Sequence, residues 1–256
     1  MADTHPSSPA FWPSIQHEAR RIAESDPVFG PALSAAILDH SDLGSAVAQQ
    51  IGVRLGSGDG ARARFASVAR EAYAATPELV EAAGRDLGAI AARDPAVTAL
   101  LPPLLNYKGY IALQAHRVAH WLWTNERFDL ALLLQAESSA SLQVSIHPSA
   151  RIGTSVFLDH ATGIVIGAFA AIGDDVTILQ NVTIGRLDAL PGRAPRIGRG
   201  VLLSSGTTVL GDVEVGDFAK VGAGAVVTSD VPAGCTAIGT PARLTNCPEQ
   251  PIPAGA

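Results

Sequence analysis

The sequence predicts an α+β chain in two parts, an N-terminal α-helical domain followed by a parallel β-helix. Three observations carry this. Up to about residue 140, apolar residues recur three and four apart in an Ala- and Leu-rich background. From Ile146 they recur every six residues, and that second pattern is interrupted at only two places. The expected limits are 1–140 for the α-helical domain, which would serve oligomerisation, 141–244 for the β-helix and 245–256 for a flexible C-terminal tail.

Composition bounds the function. The 256 residues are 47% hydrophobic and 16% charged, so the chain can bury a core and is not disordered. With 18 Lys plus Arg against 24 Asp plus Glu, the net charge of −6 draws it to neither nucleic acid nor anionic lipid. The N-terminal MADTHPSSPAFWPS has no basic stretch followed by an apolar one, and the most apolar short run, LALLLQA at 130–136, ends too soon to span a membrane. Two cysteines, Cys235 and Cys247, are expected to be reduced in a cytoplasmic protein.

In the first half, FWPSIQHEARRIAES reads as a helix, followed by ASVAREAYAA, PELVEAAGRDLGAIAAR and the long, buried NYKGYIALQAHRVAHWLW. SGDG at 57–60 reads as a loop and Ala92 to Pro103 as an irregular connection.

The six-residue period places Ile, Leu or Val at thirteen positions: 146, 152 and 158, then 166 to 184, then 197 to 227. Seven of the thirteen are followed directly by Gly, and the residue four places on is usually small or β-branched, from Ala150 to Val231. Six fits neither a helix nor simple strand alternation. It fits a chain that turns a corner after each short strand, with one aliphatic residue per side pointing into a narrow core. Three sides make a coil of eighteen residues, and coils stacked about 4.8 Å apart give a prism of four to five turns, roughly 20–25 Å long. Breaks in such a stack mark loops on a functional face. The first is two extra residues in LDHATGIV (158–165); the second is seven extra residues between Ile184 and Ile197.

The motifs DPAV (94–97), NYKGYIALQAHRVAHWLW (106–123), IHP (146–148), LDHATGIVIG (158–167), ILQNVTIG (178–185) and IGTPAR (238–243) together resemble serine O-acetyltransferase, a hexapeptide-repeat acyltransferase family. The resemblance runs from about residue 12 to 244. It implies a left-handed β-helix that trimerises, acetyl-CoA in a groove between neighbouring prisms, and helical halves that pair two trimers into a hexamer. The implied reaction moves an acetyl group from acetyl-CoA to the hydroxyl of serine or a related hydroxy amino acid. A thioester is already activated, so what the hydroxyl needs is a base, and neutral His serves near pH 7.

On the matching positions, His160 is the expected base. Asp94 and Asp159 would hold the acceptor's ammonium group, and Arg193 its carboxylate. Backbone N–H groups around Gly185 would hold the oxyanion. Ser205, Gly206, Gly222, Ala223 and Gly224 would let the pantetheine arm lie against the prism, with Lys220 and Arg243 on its phosphates. No metal is expected.

The chain departs from the family at three acceptor-site positions. Ser145 stands where the family has an Asp that orients the catalytic His, Ala168 where it has a Glu, and Ala194 where its loop reads Arg-His-Pro. That loop is one residue shorter than the family's and is stiffened by Arg186, Leu187, Leu190 and Pro191. These changes predict a weaker base and a larger, less charged pocket. An acceptor bulkier than serine, or a silent acetyl-CoA-binding scaffold, are the alternatives. A hexapeptide carbonic anhydrase needs three His on a metal, and only His147 and His160 follow residue 120. His116 and His120, four apart on a helix, read as packing groups. The tail PEQPIPAGA lacks the terminal Ile with which family members insert into a partner sulfhydrylase, so that complex is not expected.

Overall fold

The computed structural model describes residues 8–187 and 193–248. Its contacts divide the chain into two compact units, residues 1–118 and 119–256, with the division inside a helix.

The first unit is helical. α1 (Ser8–Ser25) is followed by α2 (Gly30–Leu33), which runs into a π-helical turn at Ser34–Leu38. Then come α3 (Leu43–Leu55), α4 (Asp59–Ala75), α5 (Glu78–Arg93), α6 (Leu101–Asn106) and the start of α7 (Lys108–Thr124). Ile15, Leu33, Ile51, Leu87, Leu104 and Ile111 are each fully buried in its core. α3 starts where the Asp42 carboxylate accepts the Ser45 N–H at 2.8 Å, an N-cap the periodicity did not single out. α4 begins inside the expected 57–60 loop because Gly58 caps it and Asp59 sits favourably in its first turn. α6 shortens the expected 92–103 connection, since Pro102 and Pro103 are tolerated where a helix has no internal bond to lose. Deeper in, Arg117 grips the fully buried Asp86 through contacts of 2.7–3.0 Å, and Gln114 adds a third donor at 2.9 Å.

The second unit opens with the end of α7 and with α8 (Phe128–Leu142). α8 stops at Gln143, whose left-handed φ of 59° turns the chain into the first strand. Fifteen short strands then stack on three faces. Face A stacks β1 (Val144–Ile146), β4 (Ile164–Ile166), β7 (Thr183–Gly185), β10 (Thr208–Leu210) and β13 (Val226–Val227). Face B stacks β2 (Arg151–Ile152), β5 (Ala171–Ile172), β8 (Arg196–Ile197) and β11 (Glu214–Val215). Face C stacks β3 (Phe157–Leu158), β6 (Thr177–Ile178), β9 (Leu202–Leu203) and β12 (Lys220–Val221), then β14 (Thr236–Ile238) and β15 (Arg243–Thr245). All pairings are parallel except β14 with β15.

Each of the thirteen aliphatic positions of the six-residue period falls in its own strand, and all but the half-buried Ile152 are buried. The small residues four places on, such as Ala150, Val176 and Ala219, are buried just before the next strand. Corners are cheap because one residue at each can turn left-handed: Ser155, Asp175, Gly200, Phe218 and Gly234 between faces B and C, and Gly163, Asn181, Gly206 and Gly224 between faces C and A. Backbones of successive coils touch at the B–C corner, where a Cβ on Gly216 would sit 2.5 Å from the Ala233 nitrogen. No helix among the described residues is long and apolar enough to cross a membrane.

One expectation is overturned. Cys235 and Cys247 are joined in a disulfide, which fastens residue 247 to the last coil. The antiparallel return of β15 onto β14 brings the two residues together, a proximity that spacing alone did not reveal. Residues 249–256 of the expected tail lie outside the described residues.

Candidate active site

The first interruption of the period sits at the C–A corner. Gly163, with φ of 76°, takes the left-handed place that Asn181, Gly206 and Gly224 take in later coils. The two extra residues of LDHATG are absorbed by a second left-handed turn, His160 at φ 56° and Ala161 at φ 58°. Consecutive non-glycine residues in this conformation carry strain, which a fold tolerates where it aims a side chain. Ala161 plugs the core at 0% exposure, while the His160 side chain stands 73% exposed with Nε2 3.8 Å from Asp159 Oδ1.

Below His160 the corner continues as a straight column. Asn181 N–H donates to Thr162 O (2.8 Å), Gly206 N–H to Gln180 O (2.9 Å) and Gly224 N–H to Ser205 O (2.9 Å). Three coil steps of about 4.8 Å carry the column roughly 14 Å from His160 to Gly224. It is lined by little. A Cβ on Gly224 would meet nothing within 4 Å, and one on Gly206 only the Gly224 backbone at 3.9 Å. Midway, the Gln180 Oε1 is buried without a hydrogen-bond partner among the described residues, an acceptor facing no donor of its own. Lys220 on β12 and Arg243 on β15 are exposed at the far end.

The second interruption leaves the A–B corner after Gly185. There the side chains are larger. Arg186 stacks over the half-exposed Phe169, with Cζ 5.3 Å from the ring centre. Phe169 N–H donates to Ser149 Oγ (3.1 Å), which lies 2.8 Å from His147 Nδ1, and Ser149 N–H donates to the same Nδ1 (3.1 Å). An Nδ1 that accepts leaves the hydrogen of neutral His147 on Nε2. Burial, and then the nearby Arg186 charge, hold the His147 pKa below its ordinary value. Across the loop, Arg193 Nε is 4.0 Å from Asp212, and Ala194 is buried at 4% exposure rather than lining open space. Leu190 and Pro191 lie outside the described residues.

Ser145 sits on face A between the two corners, in register with Val165, and its Oγ accepts from Gln135 Nε2 of α8 at 3.2 Å. Asp94 belongs to the first unit, where it ends α5; its Oδ1 accepts the Ala96 N–H and its Oδ2 the Tyr107 hydroxyl, both at 2.9 Å. It therefore caps no helix start. His120 Nδ1 is engaged with Pro148 O at 2.7 Å. Among the described residues no group of three or more His, Cys, Asp or Glu is arranged to hold a metal ion.

These features meet known proteins on both halves of the chain. Residues 11–115 match the family described as "Serine acetyltransferase, N-terminal", and residues 194–229 match "Bacterial transferase hexapeptide (six repeats)". The serine acetyltransferase of Salmonella typhimurium is 46% identical over 238 residues, 93% of this chain and 87% of that protein. The chain belongs to the serine acetyltransferase family. Among solved structures, the soybean serine acetyltransferase complexed with serine superposes with a TM-score of 0.89 at 44% identity, covering 94% of this chain and all of that one. A serine acetyltransferase in complex with CoA gives 0.89 at 39% identity, covering 93% of this chain and all of that one.

Within this serine acetyltransferase fold, the candidates of the sequence reading separate by position. Asp159, His160, Ser205, Gly206, Gly222 and Ala223 share the C–A corner, whereas Ala168, Gly185, Arg193 and Ala194 share the A–B corner. Sequence reasoning missed Gln135, Gln180, and the His147, Ser149 and Phe169 chain. Gln135 had a signal, as the polar residue breaking the apolar run at 130–136. His147 was named as part of IHP but its partners were not, and the Phe169 link to Ser149 had no signal because it joins residues twenty positions apart on successive coils.

Proposed function

We propose that this chain transfers an acetyl group from acetyl-CoA to the hydroxyl of serine, with His160 as the base. The observation that carries the reading is the two-residue bulge, which stands an exposed imidazole at the head of a column of small residues long enough for a pantetheine arm. Relatives crystallised with serine and with CoA support both substrates.

Acetyl-CoA lies along the C–A corner, its thioester at His160 and its phosphates toward Lys220 and Arg243. His160 takes the serine hydroxyl proton as the oxygen bonds to the thioester carbonyl carbon. Backbone N–H groups around Gly185 hold the oxyanion while it exists. When the C–S bond breaks, the imidazolium returns the proton to the CoA thiolate, leaving O-acetylserine and CoA. Asp94 and Asp159 hold the ammonium and Arg193 the carboxylate.

Because the candidates occupy two corners of one prism, the complete site takes the C–A corner of one copy and the A–B corner of the next. That arrangement suits a homotrimer, with the helical domain pairing trimers into a hexamer. We place the enzyme in the cytoplasm, with no nucleic acid, membrane or metal as a partner. The sulfhydrylase complex, whose tail lies outside the described residues, is not part of this reading. Steady-state CoA release with a panel of hydroxy amino acids tests the reading. Serine is expected to give the highest kcat/KM; a bulkier acceptor turned over faster would replace it, and acetyl-CoA binding without release for any acceptor would establish a scaffold.

A further inference from the structure

The last coil ends against the grain of the solenoid. β15 returns antiparallel on β14, pairing Ile238 with Arg243, Ala237 with Leu244 and Thr236 with Thr245. Two three-residue strands bury little: Ile238 is 46% exposed and Leu244 47%. β14 is anchored to β12 on its other side, so it is β15, the edge strand of face C, that has only one neighbour to hold it. To that ladder the Cys235–Cys247 bond adds a covalent tie across a sequence separation of 12, with Cys235 at 1% exposure in the core and Cys247 on the surface.

The closed loop also lies on the column assigned to acetyl-CoA. Ala242 N–H donates to Val226 O at 2.9 Å, Thr240 Oγ1 donates to Gly224 O at 3.3 Å, and a Cβ on Gly222 would meet Ile238 Cγ2 at 2.9 Å. Arg243 is held within this loop opposite Ile238, so its position depends on the same closure.

We propose that the Cys235–Cys247 disulfide is a thiol-exchange site that sets the affinity for acetyl-CoA, an inference that rests on the C–A corner being the donor groove. The reactant class is a small thiol, the CoA product included. Its thiolate attacks Sγ of Cys247, the sulfur that solvent can reach. The Cys235–Cys247 bond breaks, a mixed disulfide forms on Cys247, and the electron pair leaves on Cys235 Sγ, which takes a proton from water. A second thiolate attacks the small-molecule sulfur of the mixed disulfide. This releases Cys247 as a thiol and carries away two electrons' worth of oxidation as a small-molecule disulfide. Excess small-molecule disulfide reverses both steps. Opening frees β15 and takes Arg243 away from the column.

The test uses the full-length protein equilibrated with dithiothreitol or with glutathione disulfide. Thiol titration should find two reactive cysteines after reduction and none after oxidation. Calorimetry with acetyl-CoA and no serine should show binding about tenfold weaker in the reduced state, the scale of one lost charge-assisted contact. Cys247→Ser should bind like the reduced protein under both conditions, with the KM for serine unchanged. Two thiols persisting after oxidation, equal acetyl-CoA affinity in both states, or a Cys247→Ser variant that still responds to reductant would overturn the proposal. Absence of serine-dependent CoA release would instead count against the acetyltransfer reading, while the calorimetric contrast would still decide this one.

Discussion

The C–A and A–B corners belong to the same prism and the same repeat, yet they are built by different means. The C–A column is made by backbone: left-handed residues at Gly163, Asn181, Gly206 and Gly224, coil-to-coil hydrogen bonds, and almost no side-chain bulk. The A–B corner is made by side chains: Arg186 over Phe169, the Ser149 link to His147, and a buried Ala194. The six-residue period dictates the first and says little about the second. On the proposed reading, the donor common to a whole family is served by a repeating scaffold. On the same acetyltransfer reading, the acceptor end is adjusted residue by residue, Ala168 and Ala194 at the A–B corner and Ser145 on face A between the two corners.

If the head of the C–A column is the reacting centre, His160→Asn should produce the largest effect. A lost general base lowers kcat about 10²- to 10⁴-fold. Acetyl-CoA affinity should be retained, because the column below is intact. Calorimetry beside steady-state rates checks both, and an undiminished kcat would remove His160 from the mechanism.

The column itself is probed by Gly224→Asn. Asn tolerates the left-handed φ of 68°, and no protein atom lies within 4 Å of the new Cβ, so the fold should stand. A side chain projecting into the donor path should raise the KM for acetyl-CoA about tenfold. The KM for serine should not move. Equal changes in both would mean that the two corners do not divide the substrates.

A smaller gain is expected from Ser145→Asp. Ser145 spends its Oγ on Gln135 and carries no charge to offset an imidazolium. A carboxylate there should raise kcat about three- to tenfold and shift the acid limb of the pH–rate profile. A fall in kcat would show that Gln135 and Ser145 form their own working arrangement.

Legibility in the sequence followed the same division. The period of thirteen aliphatic residues marked every strand from β1 to β13, because each such residue occupies its own strand and faces one shared core. His160 was legible because two extra residues break that period. α3 was not, since its Gly44, Ala46, Ala48 and Gly52 blur any apolar stripe, and burial of small residues looks like no burial in a periodicity. The Cys235–Cys247 pair escaped because cysteine count and compartment spoke for free thiols, whereas a strand reversal decides proximity. Arg186 and Phe169 lie seventeen positions apart and meet only because one coil separates them.

The smallest effect sharpens the A–B side of the comparison. His147 accepts from Ser149 on Nδ1, and burial followed by the Arg186 charge lowers its pKa from the ordinary 6.5. Protonation therefore favours the unfolded chain. The stabilisation this gives is complete above pH 6.5 and is lost as pH falls through the lower folded-state value. His147→Asn keeps an acceptor oxygen for Ser149 but cannot take up the proton. Between pH 7 and pH 5 the Tm of the parent should fall by about one or two degrees more than that of the variant. Other carboxylates and histidines titrate in both proteins, so the difference between the two curves isolates the ring. Parallel curves would show that the Ser149 chain holds His147 equally well when charged, and that the A–B corner is a rigid platform insensitive to its own protonation.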